Sequence, residues 1–303
     1  MTTPQTSAQD SALPPPRVGF TSLVIPVFNQ LEYTVRCLDS LRRHTTLPYE
    51  VIVVDNASTD GTPAYLRELH ERGQIRVIAN RANLGCAKAW NQGVRAAHGD
   101  VIGILNNDIV VTAGWLEGLR EFMTRGGHGV VAPAGREGAL NYDLDAYAAQ
   151  FTDRCRAATR AELYGPCFLV ARHVFDRVGL FDDAFGYGGC EDVDFHWRVL
   201  QAGMSVRMTG SVLIHHFSMV TQTAFGRSER KRYSEANVTY FTQKWGRTVR
   251  GNWAQRRWAG ISRTVREAAE YVRFGHALVE KAQAHATDAH DRRTPPSATM
   301  STP

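Results

Sequence analysis

The sequence predicts an α/β protein with a mostly parallel central sheet covered by helices on both faces. Three observations carry this. Short aliphatic runs at residues 23–25, 51–54, 75–79 and 101–105 alternate with segments of helical periodicity. All but the third, which carries Arg76, are apolar throughout rather than alternating, as a strand buried on both faces requires. Each gives way to polar turn residues, and open α/β sheets bind their ligands outside the carboxyl ends of the strands. The 303 residues are 43% hydrophobic, ample to build a large core.

Residues 1–19, rich in Thr, Gln, Ser and Pro, read as a flexible leader. The first strand (23–25) is broken by Pro26. A helix should follow, with Asn29 as N-cap and Glu32 at the capping-box spacing, its apolar stripe being Leu31, Val35, Leu38 and Leu41. The second strand ends at Asp55 and the polar turn 56–61, after which Pro63 opens a helix that Gly73 ends. The third strand leads through Asn83-Leu84-Gly85 into a helix carrying Ala87, Trp90, Val94 and Ala97 on one face. The fourth strand ends in Asn106-Asn107-Asp108.

The second half is less regular. A helix is expected at 113–123 and a strand at 130–132, whereas 134–160 shows no clear period. A strand resumes at 167–171. The glycine-rich stretch 185–189 runs directly into a helix at 191–202, and short strands follow at 206–208 and 212–214. Between Arg247 and Arg273 seven arginines face only Glu267 and Glu270, an excess equal to the whole chain's net charge of +5. The domain reading is a leader (1–19), one catalytic-type domain (20–245, halves 20–125 and 126–245), a basic helical extension (246–283) and a disordered tail (284–303).

Several classes are excluded or disfavoured. No apolar run approaches the roughly 20 residues that cross a bilayer, and the N-terminus lacks an apolar signal-peptide core. The charge excess is too mild to imply nucleic acid. The five cysteines include no CxxC pair, which fits reduced thiols in a cytoplasmic protein. No GxGxxG follows the first strand and no GxxxxGK[ST] occurs, so any nucleotide is held by side chains.

Five segments occur together in order: residues 25–29 (IPVFN), 53–62 (VVDNASTDGT), 83–85 (NLG), 105–108 (LNND) and 189–194 (GCEDVD). In this they resemble the family-2 inverting glycosyltransferases of the GT-A fold over roughly residues 21–220. The resemblance implies a nucleotide-diphosphate-sugar donor gripped at the sheet's rim by Pro26, Phe28, Asn29, Asp55, Asn83, Lys88, Asn106 and Asn107. Phe28 matches the aromatic that stacks on the base and Asp55 the acid that accepts its hydrogen bond. Taken singly, a core Phe, a turn-capping Asp and a solvated Lys explain these residues as well, and for Asp60 capping is the better account.

Asn106-Asn107-Asp108 stands where the family has its Asp-x-Asp metal motif. The resemblance implies a divalent cation, Mg²⁺ or Mn²⁺, held by Asp108 and by His216. Asn106 replaces the first carboxylate, which weakens metal affinity. Strand alternation puts His215 and His216 on opposite faces, and the Phe-Ser after His216 favours His216. Glu191-Asp192 matches the family's Glu-Asp pair, Asp192 being the general base of an inverting transfer and Glu191 its orienting or acceptor-contacting neighbour. Trp197 and Phe195 read as core.

The expected protein is thus a metal-assisted inverting glycosyltransferase, cytoplasmic or peripheral to the inner face of the membrane. The Asn-Asn-Asp variant resembles members that move deoxysugars such as rhamnose. A lipid-linked glycan, a small metabolite and a protein side chain all stay open as acceptor. For 247–273, packing or homodimerisation is preferred, with membrane contact second. The rival readings are a degenerate nucleotide-sugar-binding module and a sugar nucleotidyltransferase, although residues 26–29 do not resemble the latter's Gly-x-Gly-Thr-Arg loop.

Overall fold

A computed structural model describes residues 13–218, 220, 227–246 and 253–281. The first half alternates strand and helix as expected: β1 (Arg17–Val27), α1 (Leu31–His44), β2 (Tyr49–Asp55), α2 (Thr62–Glu71), β3 (Arg76–Ala79), α3 (Cys86–Ala96) and β4 (Gly99–Leu105). The second half adds β5 (Ile109–Val111), α4 (Trp115–Gly126), β6 (Val130–Glu137), α5 (Leu144–Cys155), β7 (Thr159–Arg160), β8 (Cys167–Ala171), α6 (Arg172–Val178), α7 (Glu191–Gln201) and β9 (Val206–His216). Beyond these come α8 (Arg227–Trp245), α9 (Trp253–Phe274) and β10 (Val279–Lys281).

The sheet runs in the order β3-β2-β1-β4-β8-β6-β9-β5, with β10 on β6 and β7 on β9. Strands β3, β2, β1 and β4 are mutually parallel; β8 inserts antiparallel between β4 and β6. Val24 sits opposite Ile52 on one side and Ile104 on the other, and all three are fully buried. Helices pack so closely on this sheet that a Cβ on Gly93 of α3 would run into the Val24 side chain.

Several expectations are corrected. β1 begins at Arg17 and runs through Pro26, so the expected leader already contains strand; its first twelve residues lie outside the described ones. Pro26 pairs with Val54 of β2 but lies beyond the pairing with β4, which ends at Val24, so β1 has only one neighbour there. β9 is one continuous strand across residues 209–211, and the segment 134–160 contains α5, capped by the Asp143 side chain accepting from Ala146 N at 3.0 Å. The extension is not wholly helical: β10 pairs in parallel with residues 135–137 of β6. It packs on the domain through polar contacts, Arg160 pairing with Glu270 and Arg266 with Glu162, while Val265 stays exposed. The side chains of Trp253, Trp258 and Ile261 and the expected tail 284–303 lie outside the described residues. No helix among the described residues is long and apolar enough to cross a membrane.

Asn29 is not an N-cap. It and Gln30 both adopt left-handed backbone (φ 56° and 64°), and the Asn29 amide oxygen instead accepts from Thr59 N at 2.7 Å. The capping role falls to Asp60, whose carboxylate takes Leu31 N at the start of α1 (3.2 Å) and Thr62 N at the start of α2 (2.9 Å). One side chain therefore pins two helices to the rim, and Asp60→Ala is expected to lower stability by about 1–2 kcal/mol. Urea unfolding monitored by circular dichroism measures this; an unchanged midpoint refutes the double cap.

Candidate functional site

The carboxyl ends of β1, β2 and β4 open on a cleft of about 540 Å³. Its floor is laid by the residues that follow each strand. Hydrogen bonds lace these turns together: Asn56 N donates to Val27 O (2.8 Å), Asn29 N to Ser58 Oγ (2.8 Å) and Asn80 N to Asp55 O (2.8 Å). Among the described residues, five non-glycine residues adopt positive φ: Asn29, Gln30, Ala57, Cys190 and Ser218. All lie in loops at this rim, where backbone strain is held in place by the surrounding bonds.

Most of the residues singled out from sequence come together here. Pro26, Phe28, Asn83, Asn106, Asn107, Asp108, Glu191, Asp192 and His216 all line the cleft. Asn83 shapes its own loop, its Oδ1 accepting from Gly85 N at 2.9 Å. Asn107 turns its amide toward α1 and donates to Thr34 Oγ1 (3.0 Å), which leaves its neighbours to face the cleft.

Three expected residues are not brought to the lining. Asp55 is 5% exposed at the end of β2, and its Oδ1 accepts from Ser58 N at 2.9 Å, so this carboxylate closes the turn. Asn29 uses its side chain to tie the first loop to the second. Lys88 projects from the exposed side of α3. In each case the competing local bond or helix face, invisible in a linear motif, decides the direction of the side chain.

At the metal-type corner, His216 Nε2 lies 3.3 Å from Asp108 Oδ1 and its Nδ1 lies 3.5 Å from Glu137 Oε1. Burial by itself lowers the imidazole pKa, but hydrogen bonds to these two carboxylates and their charge override it and raise it to about 9. Glu137 is in turn held below its ordinary value, first by the His216 contact. The Tyr164 hydroxyl also donates to Glu137 (3.4 Å). Glu137 thus fixes the ring from behind, as an outer carboxylate does for a ligating histidine. No cluster of three or more His, Cys, Asp or Glu arranged around a metal occurs among the described residues. A single carboxylate and one imidazole still suit Mg²⁺ or Mn²⁺ when substrate phosphates supply the remaining oxygens.

Glu191 and Asp192 open α7, Glu191 buried and Asp192 half-buried at the cleft wall. Burial, then the charge of Asp192, pushes the Glu191 carboxyl well up, and its Oε2 has no hydrogen-bond partner. Burial likewise raises Asp192, against the opposing hydrogen bond from Val193 N (2.8 Å). Two adjacent carboxyls out of water titrate as a pair that resists carrying both charges. A Cβ on Gly165 would come within 2.5 Å of Asp192 Oδ2, so glycine is needed there to admit the carboxylate. The Cys86 thiol, also in the cleft, has its pKa raised by burial and then by the charges of Glu191, Asp192 and Asp108. Asp192 and Asp108 therefore share one electrostatic neighbourhood and one cleft, as the sequence reading requires.

Sequence reasoning did not find part of the cleft wall: Tyr187, Ser218, Val220, Tyr233 and Ser234. No local motif marks them, since they are assembled from the glycine-rich loop, the segment after β9 and α8. All five cysteines are thiols without disulfides, three of them buried.

Comparison with known proteins agrees with this geometry. The pattern of glycosyl transferase family 2 matches residues 22–179, just over half of the chain. The sequence is 28% identical over 213 residues to glycosyltransferase AglE of Haloferax volcanii, spanning 65% of this chain and 66% of AglE. It is 29% identical to the uncharacterised glycosyltransferase YwdF of Bacillus subtilis, spanning 70% of this chain and 80% of that one. Among solved structures, GalNAc-T7 with UDP, GalNAc and Mn²⁺ superimposes with a TM-score of 0.54 at 18% identity, over 65% of this chain and 43% of its own. This chain thus spans about two thirds of the archaeal relative's length and under half of the solved one. The structural likeness concerns the fold, and it agrees with the GT-A architecture expected from the sequence. With its strand order, its rim of polar loops and the family pattern running from β1 to the end of α6, the chain belongs to glycosyl transferase family 2.

Proposed function

We propose that the protein transfers a sugar, with inversion, from a nucleotide-diphosphate donor to an acceptor hydroxyl, Asp192 acting as general base. The observation that carries this reading is the convergence of Asp192 and Asp108 on one cleft from loops far apart in sequence. Phe28 and Asn83 line the nucleotide side, and the Asp55 turn supports it. Asp108 and His216, with Asn106 beside them, would hold a divalent cation; when bound, it supplies positive charge to the diphosphate as that group departs. Asp192 takes the proton of the acceptor hydroxyl while the acceptor oxygen bonds to the anomeric carbon and the bond to the diphosphate oxygen breaks on the opposite face. Glu191 lies beside it at the helix start. The open side of the cleft, toward Tyr187 and Tyr233, is where the acceptor enters. A lipid-linked glycan, a small metabolite and a protein side chain each remain acceptors to be tried.

The binding-module alternative draws on one observation, the amide of Asn106 where a second acid would strengthen cation binding. Turnover decides between the two readings. Asp192→Asn should cut donor turnover by about 10²–10⁴-fold, the usual worth of a positioned base. It should not lower the melting temperature at pH 7–8. A carboxyl whose pKa is raised on folding binds more protons folded than unfolded, so it costs stability as pH rises from the ordinary aspartate value through the raised one, and the cost persists above it. Replacing it by a neutral amide removes that cost. A native protein that binds nucleotide but turns over no donor with any acceptor class supports the binding module instead.

The acid limb of the turnover profile should follow the same cause. Because burial raises Asp192, the rate should climb with pH through an apparent pKa above the ordinary aspartate value of about 3.9. A limb at or below that value contradicts the assignment. At the other corner, Asp108→Asn in the presence of Mn²⁺ should weaken nucleoside diphosphate binding by about tenfold while sparing the nucleoside. Isothermal titration with UDP, GDP and the matching nucleosides reads this, and equal losses for both would remove Asp108 from the diphosphate site.

A further inference from the structure

We infer that Asn237 of α8 is a positioning residue for the carboxylate pair, acting through the glycine-rich loop that precedes it. The inference rests on the reading of Asp192 as base. Asn237 is 4% exposed and gives its whole amide to this loop: its Oδ1 accepts from Gly186 N (3.0 Å), and its Nδ2 donates to Gly188 O (3.1 Å) and Gly189 O (2.9 Å). Only an amide offers an acceptor and two donors in so short a side chain.

The loop needs such a clamp. Gly188, Gly189 and Cys190 run through three successive positive φ values, 152°, 104° and 78°, immediately before Glu191. A Cβ on Gly189 would meet nothing within 4 Å, so glycine is there for its backbone and not for space. Such a path forms no regular ladder, and the Asn237 side chain supplies bonds that a strand or helix would otherwise make. On its other side the loop abuts the donor half, the Gly186 carbonyl lying against the position a Gly85 Cβ would occupy. Shifting this loop moves the start of α7, and with it Asp192.

The helix that carries Asn237 is itself tied to α7. Lys244 Nζ lies 2.6 Å from both Asp182 Oδ2 and Asp194 Oδ1, and Trp245 Nε1 donates to Asp194 Oδ1 (2.9 Å). The Tyr240 hydroxyl donates to Asp182 (2.9 Å), and Phe241 is fully buried beside Phe185 and Trp197. At helical spacing, one side of α8 thus carries a wall of the cleft at Tyr233, the clamp at Asn237 and the anchor at Phe241 and Lys244. Asp194, two residues past the base, receives that anchor. Loop and helix start are held by one element from two directions.

The test compares the native chain with Asn237→Leu, which keeps the volume, and Asn237→Asp, which keeps the acceptor but not the donors. Amide hydrogen exchange of residues 186–190, binding of UDP and GDP with Mn²⁺, and hydrolysis of a panel of UDP- and GDP-sugars are measured on each. Loop exchange should rise and kcat fall by about tenfold or more in both variants, the loss of two hydrogen bonds amounting to roughly one to two powers of ten. Nucleotide affinity should fall less than kcat, since the clamp bonds Gly186, Gly188 and Gly189 themselves and reaches the Asn83 side only through the Gly186 contact with Gly85. Loop protection and kcat both unchanged in the variants would overturn the inference. So would nucleotide affinity falling in step with kcat, which marks general damage. If the native chain turns over no donor, the reading of Asp192 fails separately, and unchanged exchange at 186–190 in Asn237→Leu then overturns the clamp on its own.

Discussion

Two adjacent carboxyls at the start of α7, Glu191 buried and Asp192 half-buried, set the terms for the structure around them. Burial raises both Glu191 and Asp192, and their mutual repulsion adds to the cost. The fold offsets this with what a helix start offers, free N–H groups and the positive end of the dipole, of which the Val193 N–H is the one seen bonded to Asp192. Gly165 leaves room for Asp192 Oδ2, and the loop before α7 accepts left-handed backbone in order to arrive there. Such strain persists only where neighbours over-determine it. The neighbours here are the central strands, whose apolar residues are almost wholly buried, and α8, which is bolted to α7 through Asp194.

How far this was legible in the sequence follows from how local each cause is. The βα units of the first half were readable because a doubly buried strand must be apolar throughout and must end in turn residues, a rule satisfied within a few positions. The placement of Asp108, Asp192 and His216 at one cleft was readable for the same reason: each stands in a short motif next to a strand end or helix start. Asn29 was misread as a cap because its competitor, the chain at residues 58–60, is distant in sequence. Asp55 was expected to face the base, yet its own Ser58 N–H lies closer to hand.

The second half resisted for the opposite reason. β9 looked like two strands because Thr209, Gly210 and Ser211 interrupt its apolar run, but β6 supplies pairing on either side of the gap, with a register shift between Pro133 and Ala134. α5 hides because only Ala148, Phe151 and Cys155 are buried along its twelve residues. α8 carries no continuous apolar stripe. Beside the buried Phe241, its contacts are an amide, an ammonium and an indole N–H meeting acids and carbonyls, and no periodicity of hydrophobicity reports such bonds. The wall of the cleft and the clamp on its loop were therefore the parts the sequence withheld.

The pair His215 and His216 shows what alternation alone can accomplish. Register sets Arg136 against His215 and Glu137 against His216, so one strand pair carries two chemically opposed faces. On the cleft face His216 meets two carboxylates and is raised to about 9. On the other, burial lowers His215 to about 4, with the charges of His216 and Arg136 acting in the same direction, and its Nδ1 bonds the Tyr142 hydroxyl at 2.8 Å. Arg136 lies over the rings of both Tyr142 and Tyr147, at 4.4 and 4.0 Å, and 3.7 Å from Glu280 of β10. Tyr147 also bonds Glu280, so the last described strand closes the layer behind the cleft. The basic extension thus reaches the site's foundations without touching the site. A basic segment read from sequence as packing on the domain or on a second copy leads into a strand whose single acid pairs with the arginine backing Glu137 and His216.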